Sequence, residues 1–221
     1  MTVAPSSHLM VTQLAKELHE KVEQLASQIS GEKQNIAPPP IEQLLKAALK
    51  NEWETAVLTG QWVVTERDAF FCMNLARLAG DEAKHFLKIA ELLTARGHAI
   101  PSSDELNQRT PLYGHLIKLE TTFERVVAGP FAREALAVAR NQVFLEYCKK
   151  IAANDIILAY EEIQNDEEHH HKLGRTTLEE ILRNEQDLGR ARVIMNDVLK
   201  VVDDIQEMML MKKGMSCLPG C

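Results

Sequence analysis

Two five-residue stretches of this chain share one pattern, Asp81-Glu82-Ala83-Lys84-His85 and Asp166-Glu167-Glu168-His169-His170. A glutamate and a histidine three positions apart stand one turn apart on the same face of a helix. So placed, a carboxylate oxygen and an imidazole nitrogen can share one metal ion. A lone Glu-x-x-His is weak evidence, so the weight falls on its surroundings. Glu82 and His85 interrupt an apolar stripe of Leu75, Leu78, Ile89 and Leu92. Glu167 and His170 do the same between Ile163 and Gly174. Charge on a core stripe is costly unless it is paired or bound to a metal.

Two further carboxylates complete a set. Glu52 falls on the stripe Leu45, Ala48, Ala56, Thr59, Val63, and lies 30 residues before Glu82 with a turn midway. Glu134 lies 33 residues before Glu167, beside Phe131, Ala135 and Val138. Antiparallel packing brings each glutamate level with its Glu-x-x-His partner. The proposed ligands are therefore Glu52, Glu82, His85, Glu134, Glu167 and His170. Glu54 competes with Glu52 but projects about 200° away, and Glu146 competes with Glu134 but lies close to the turn. The pair Glu168 and His171 has the same spacing as Glu167 and His170, but is rotated about 100° off the stripe and lacks the preceding aspartate. A metal-bound histidine usually donates its second N–H to a carboxylate. Asp81 and Asp166 are placed to do this, each toward the histidine of the opposing helix. Tyr160, two turns before Glu167, is expected either near the metals or as a core tyrosine with a satisfied hydroxyl.

These residues need helices to hold them. Leu9, Leu14, Leu18, Val22, Leu25 and Ile29 mark an N-terminal helix from about His8 to Ser30, and Pro38-Pro39-Pro40 ends the linker after it. A second helix runs from about Ile41 to Val64. A third follows a break at Thr65–Asp68, with Asp68 as N-cap, and stops at Gly97. The polar stretch Gly97 to Pro111 is long enough to cross a bundle. Helical pattern resumes near Leu112, is interrupted at Gly129-Pro130, and continues to about Ala153. Asn154-Asp155 supplies a turn, and the next helix runs past His171. Thr176 or Thr177 is expected to cap a last helix reaching Lys213. No strand pattern is convincing, so the chain reads as all-α.

The set Glu52, Asp81-Glu82-x-x-His85, Glu134 and Asp166-Glu167-x-x-His170 resembles that of the ferritin-like di-iron carboxylate superfamily, which includes rubrerythrin-type proteins and bacterial di-iron hydroxylases. The resemblance covers roughly residues 41–174. It implies a ferritin-like four-helix bundle with a long crossover connection and N- and C-terminal flanking helices. It implies two Fe ions, with Mn or a mixed Mn/Fe pair as alternatives, and a non-haem oxidoreductase that activates O2 to oxidise or hydroxylate an organic substrate. Its partners would be a small-molecule substrate, O2 and an external electron donor, a reductase or ferredoxin. A ferroxidase or iron-handling protein and a rubrerythrin-type peroxide reductase are the rival functions. The chain departs from ordinary rubrerythrins in having no rubredoxin-like cysteine module. Two Glu-x-x-His motifs do not suit the less symmetric site of eukaryotic ferritins, and the chain is shorter than many large monooxygenase subunits.

Length and composition agree with one helical domain. The 221 residues divide into an N-terminal helix and linker (1–40), a di-metal bundle (41–175) and a C-terminal helix and tail (176–221). A net charge of −7 disfavours nucleic acid as a partner. No apolar run is long enough to span a membrane, and Met1 to Met10 carries no signal-peptide pattern. Cys72 and Cys148 read as buried thiols of a reducing cytoplasm, and Cys217 and Cys221 as tail residues. Aromatic residues such as Trp53, Trp62, Phe71 and Phe86 read as core or as pocket lining. A homodimer is left open.

Overall fold

The computed structural model describes residues 6–29 and 39–213, and among them it is all-helical, without strands. Cys217, Cys221 and most of the proline-rich linker lie outside the described residues. The long helices are α1 (Ser7–Ile29), α2 (Ile41–Thr65), α3 (Ala69–Ala95), α7 (Glu134–Lys150), α8 (Asn154–Ile181) and α9 (Glu185–Lys213). Three short helices lie between α3 and α7: α4 (Ser103–Asn107), α5 (Pro111–Leu116) and α6 (Thr122–Val126). Among the described residues no helix is long and apolar enough to cross a membrane.

Two antiparallel hairpins dominate the packing, α2 with α3 and α7 with α8. The first turns in three residues. Asp68 caps α3 by accepting the Phe71 N–H at 2.8 Å, as its position in the sequence suggests. The second turns at residues 151–153, where Ala152 adopts a left-handed φ of 55°. Asn154 and Asp155, expected to form this turn, instead begin α8, because the positive φ at Ala152 has already reversed the chain.

The crossover between the hairpins is pinned to α2. Lys50 Nζ donates to the carbonyls of Glu105, Leu106 and Gln108. The Glu54 carboxylate accepts from Thr110 N at 2.9 Å and Thr110 Oγ1 at 2.5 Å. Glu54 is thus a buried anchor of the crossover rather than a surface residue. The crossover itself carries local order: α4 opens with a reciprocal capping box between Ser102 and Glu105, and α6 with another between Thr121 and Glu124.

Gly129-Pro130 does not interrupt the chain as expected. Residues 127–133 form a π-helical segment continuous with α6 and α7. Proline cannot donate to the ladder and its ring crowds the carbonyl four residues back. A wider turn relieves this, and the Glu134 N–H bonds to Gly129 O, five residues back. Thr176 and Thr177 likewise do not cap a new helix. They lie inside α8, with Thr176 Oγ1 donating to Lys172 O at 3.0 Å, so the boundary placed at 175/176 falls within one helix. The true break is at Leu182–Asn184, where Asn184 Oδ1 accepts the Asp187 N–H at 3.0 Å.

The apolar core is split into two layers. One joins Leu58 and Trp62 of α2, Phe71 and Leu75 of α3 and Leu178 of α8 to buried faces of α1 and α9. The other joins Leu45 and Leu49 of α2, Ile89 and Leu93 of α3, Phe144 of α7 and Ile163 of α8. On α2, α3 and α8 the gap between the layers is where Glu52, Glu82, His85, Glu167 and His170 stand. Tyr160 belongs to the second layer, its ring edge-on to Phe144 at 4.7 Å. Trp62 and Phe71 are core, whereas Phe70 is exposed. Cys148 is buried and Cys72 half-buried.

Candidate metal centre

Six side chains converge between the layers: Glu52 from α2, Glu82 and His85 from α3, Glu134 from the start of α7, Glu167 and His170 from α8. Each is at most 3% exposed. They form two overlapping sets, each with its donor atoms within 4.8 Å of one another: Glu52, Glu82, His85 and Glu167, and Glu82, Glu134, Glu167 and His170. Glu82 and Glu167 belong to both. Each set has one private glutamate and one private histidine, so the cluster is close to two-fold symmetric. The histidine rings face one another with centroids 6.3 Å apart.

Ring orientation is fixed from outside the cluster. His85 Nε2 lies 3.2 Å from Asp166 Oδ2, and His170 Nε2 lies 3.3 Å from Asp81 Oδ2. Each aspartate reaches across from the opposing helix, leaving both Nδ1 atoms turned inward. His85 Nδ1 is 3.4 Å from Glu52 and 3.6 Å from both Glu82 and Glu167. His170 Nδ1 is 3.7 Å from Glu82 and 3.6 Å from Glu167.

Most of these inward atoms make no hydrogen bond within the protein. Both oxygens of Glu82, Oε2 of Glu134 and of Glu167, and Nδ1 of both histidines are buried without a hydrogen bond. Buried polar atoms are normally satisfied. Six such atoms converge on one spot, where a cation could satisfy them. Carboxylate oxygen and imidazole nitrogen are the donors that divalent iron and manganese accept, so the residues present are compatible with a two-cation site.

The electrostatics agree. Burial, followed by the neighbouring Glu82 charge, pushes Glu52 up to about 8. Burial with the charges of Glu82 and Glu134 raises Glu167 well above the carboxylate range. For Glu82 burial acts upward too, but the nearby His85 and Glu52 side chains and the charge of Arg133 outweigh it and hold this carboxyl low. His85 is disfavoured as a cation by burial, yet Glu52 and Glu82 raise it to about 11. Glu52, Glu167 and His85 are thereby biased toward their protonated forms and Glu82 toward its charged form.

Arg133 is a participant that the sequence pattern missed. Its Nη1 donates to Glu134 Oε1 at 2.8 Å and its Nη2 to Thr55 Oγ1, all buried. One oxygen of Glu134 is thereby held and the other left facing the cluster. Adjacent residues on an α-helix project about 100° apart, so an arginine beside a core glutamate reads as surface. The π-helical turn ending at Arg133 brings both inward. The only hint in sequence was Gly129-Pro130.

Gly174 sets how closely α8 approaches this turn. A Cβ there would collide with the backbone of Pro130 and lie 2.5 Å from Phe131 N. His171 Nδ1 bonds Phe131 O at 2.9 Å and so faces the π-helical segment rather than the cluster. Glu146 pairs with Lys149 at the surface. Compared with known proteins, the chain matches no family model, no curated protein and no solved structure.

Proposed function

We propose that the chain is a ferritin-like four-helix bundle, formed by α2, α3, α7 and α8 with α1 and α9 flanking it. In this reading it is a non-haem di-iron oxidoreductase that activates O2 to oxidise or hydroxylate an organic substrate. The observation that carries the reading is the pair of ligand sets sharing Glu82 and Glu167. Glu82 and Glu167 would help hold both ions, with Glu52 and His85 completing one position and Glu134 and His170 the other. Mn or a mixed pair would use the same donors.

A bound iron pair would supply the electrons that reduce O2 or peroxide. The protein's own part is positional. Asp81 and Asp166 hold the histidine tautomer with Nδ1 free to ligate. Arg133 restrains Glu134. The apolar layers above and below exclude water and strengthen every charge interaction between them. An external electron donor, a reductase or ferredoxin, belongs to the same proposal.

A second reading, a rubrerythrin-type peroxide reductase, draws on a different observation. The cleft beside Arg133 has a volume of about 20 Å³, room for roughly one water, which suits peroxide better than an organic molecule. Anaerobic loading with Fe(II) followed by O2 or by peroxide, with reductant present, tests both. Steady O2 consumption faster than peroxide consumption is expected. Faster peroxide removal would favour the second reading, and no reaction with either would contradict both.

A further inference from the structure

A half-open cleft lies between α2, α5 and the π-helical segment. Thr55 and Leu58 of α2, Leu112 and Leu116 of α5, and Arg133 line it. Its inner end is next to the candidate centre: Thr55 is one turn beyond Glu52 on α2, and Arg133 is bonded to Glu134. Arg133 and Thr55, both lining the cleft, are hydrogen-bonded to each other. Thr55 Oγ1 is itself oriented, donating to Asn51 O at 2.8 Å.

The walls differ in character. Leu58, Leu112 and Leu116 make one side apolar. Glu54 also lines the cleft, but its carboxylate is held by Thr110 and by Lys50 at 3.2 Å. The cation at the inner end is Arg133, whose guanidinium recognises oxygen and anionic groups. A volume near one water admits small molecules and excludes large ones.

We propose that this cleft is the entry route for a water-sized oxygen species or small anion to the candidate centre, with the Arg133–Thr55 bond as its inner gate. This inference rests on the di-metal reading above. In this opening Arg133 leaves Thr55 while keeping Glu134, a side-chain rearrangement that leaves the helices in place. Arg133 is thus both a restraint on one carboxylate and the closure between the centre and solvent.

The test uses full-length protein loaded with iron and oxidised, with azide as the probe. Association is followed by stopped-flow absorption, and metal content is measured on the same samples. Leu112→Phe, which fills the cleft, should slow azide association about tenfold with metal content unchanged, as an added barrier of about 1.4 kcal/mol would. Leu112→Ala and Thr55→Val, which widen the cleft or release the gate, should speed it. These two variants keep the test decisive if the phenylalanine variant fails to fold. Wild-type metal content with unchanged azide rates in all folded variants would overturn the entry route alone. Loaded wild-type protein that takes up no azide would do the same. Wild-type protein that holds no metal would overturn this inference together with the di-metal reading.

Discussion

His170 on α8 directs its Nε2 to Asp81 on α3 at 3.3 Å and turns its Nδ1 into the cluster. His85 and Asp166 repeat the relationship in the opposite sense. The two aspartates differ in exposure: the side chain of Asp81 is 11% exposed and that of Asp166 49%. Charge is screened less in the buried case. Asp81→Asn should therefore weaken metal binding about 10–100-fold, within the range for partners that orient a ligand, and Asp166→Asn should weaken it less. Competition titration against a chelator measures both. Equal, unchanged affinities would show that the aspartates are incidental.

Protonation gives a second expectation. In metal-free protein Glu52 is raised to about 8 and His85 to about 11. Both groups then bind protons more tightly folded than unfolded, so each lowers stability as pH rises. The loss runs from the ordinary value of 4.5 through about 8 for Glu52, and from 6.5 through about 11 for His85. Glu82 is lowered and acts in the opposite sense, losing its contribution only as pH falls below 4.5. The Tm of metal-free protein should fall from pH 6 to pH 8, roughly the span in which the Glu52 and His85 losses overlap. Metal should flatten the fall, and binding at neutral pH should release protons. A metal-free Tm that rises over this window would contradict the expectation.

Close approach of α8 to the π-helical segment gives a third. Gly174→Ala places a methyl group against the Pro130 and Phe131 backbone, which cannot rotate away. A cost of about 2 kcal/mol corresponds to a Tm fall of roughly 4–8 °C in a chain of this size. Gly60→Ala meets nothing within 4 Å and removes a flexible residue from a helix interior, so it should leave Tm unchanged or raise it. Thermal unfolding of the pair separates crowding from helix propensity. Equal effects would remove the special role of Gly174.

Much of this arrangement was legible in the sequence because the helices obey a simple period. Glu52, Glu82, His85, Glu167 and His170 each break an apolar stripe, and a broken stripe marks a polar layer inside a core; Glu134 was legible only from its distance before Glu167. Asp68 announced its cap by residue type. What escaped was where local signals yielded to packing. Thr176 and Thr177 look like caps, but Leu178 and Leu182 are fully buried, and burying Leu178 carries α8 on to Ile181. Gly129-Pro130 looks like a break, but a π turn absorbs the missing donor. Arg133 and Thr55 carry no spacing signal, since their meeting depends on that turn and on a contact between residues 78 apart.

Metal content per chain tests the central claim most directly. Iron-replete wild-type protein should carry about two ions per chain, the number the six-ligand set implies. His170→Ala should lose metal while His171→Ala, whose ring faces Phe131 O, should keep it. Glu52→Ala should lose metal, whereas Glu54→Ala should keep it and lose stability through the crossover contact to Thr110. Well under one metal per wild-type chain, or loss confined to His171→Ala and Glu54→Ala, would contradict a centre built from these six residues.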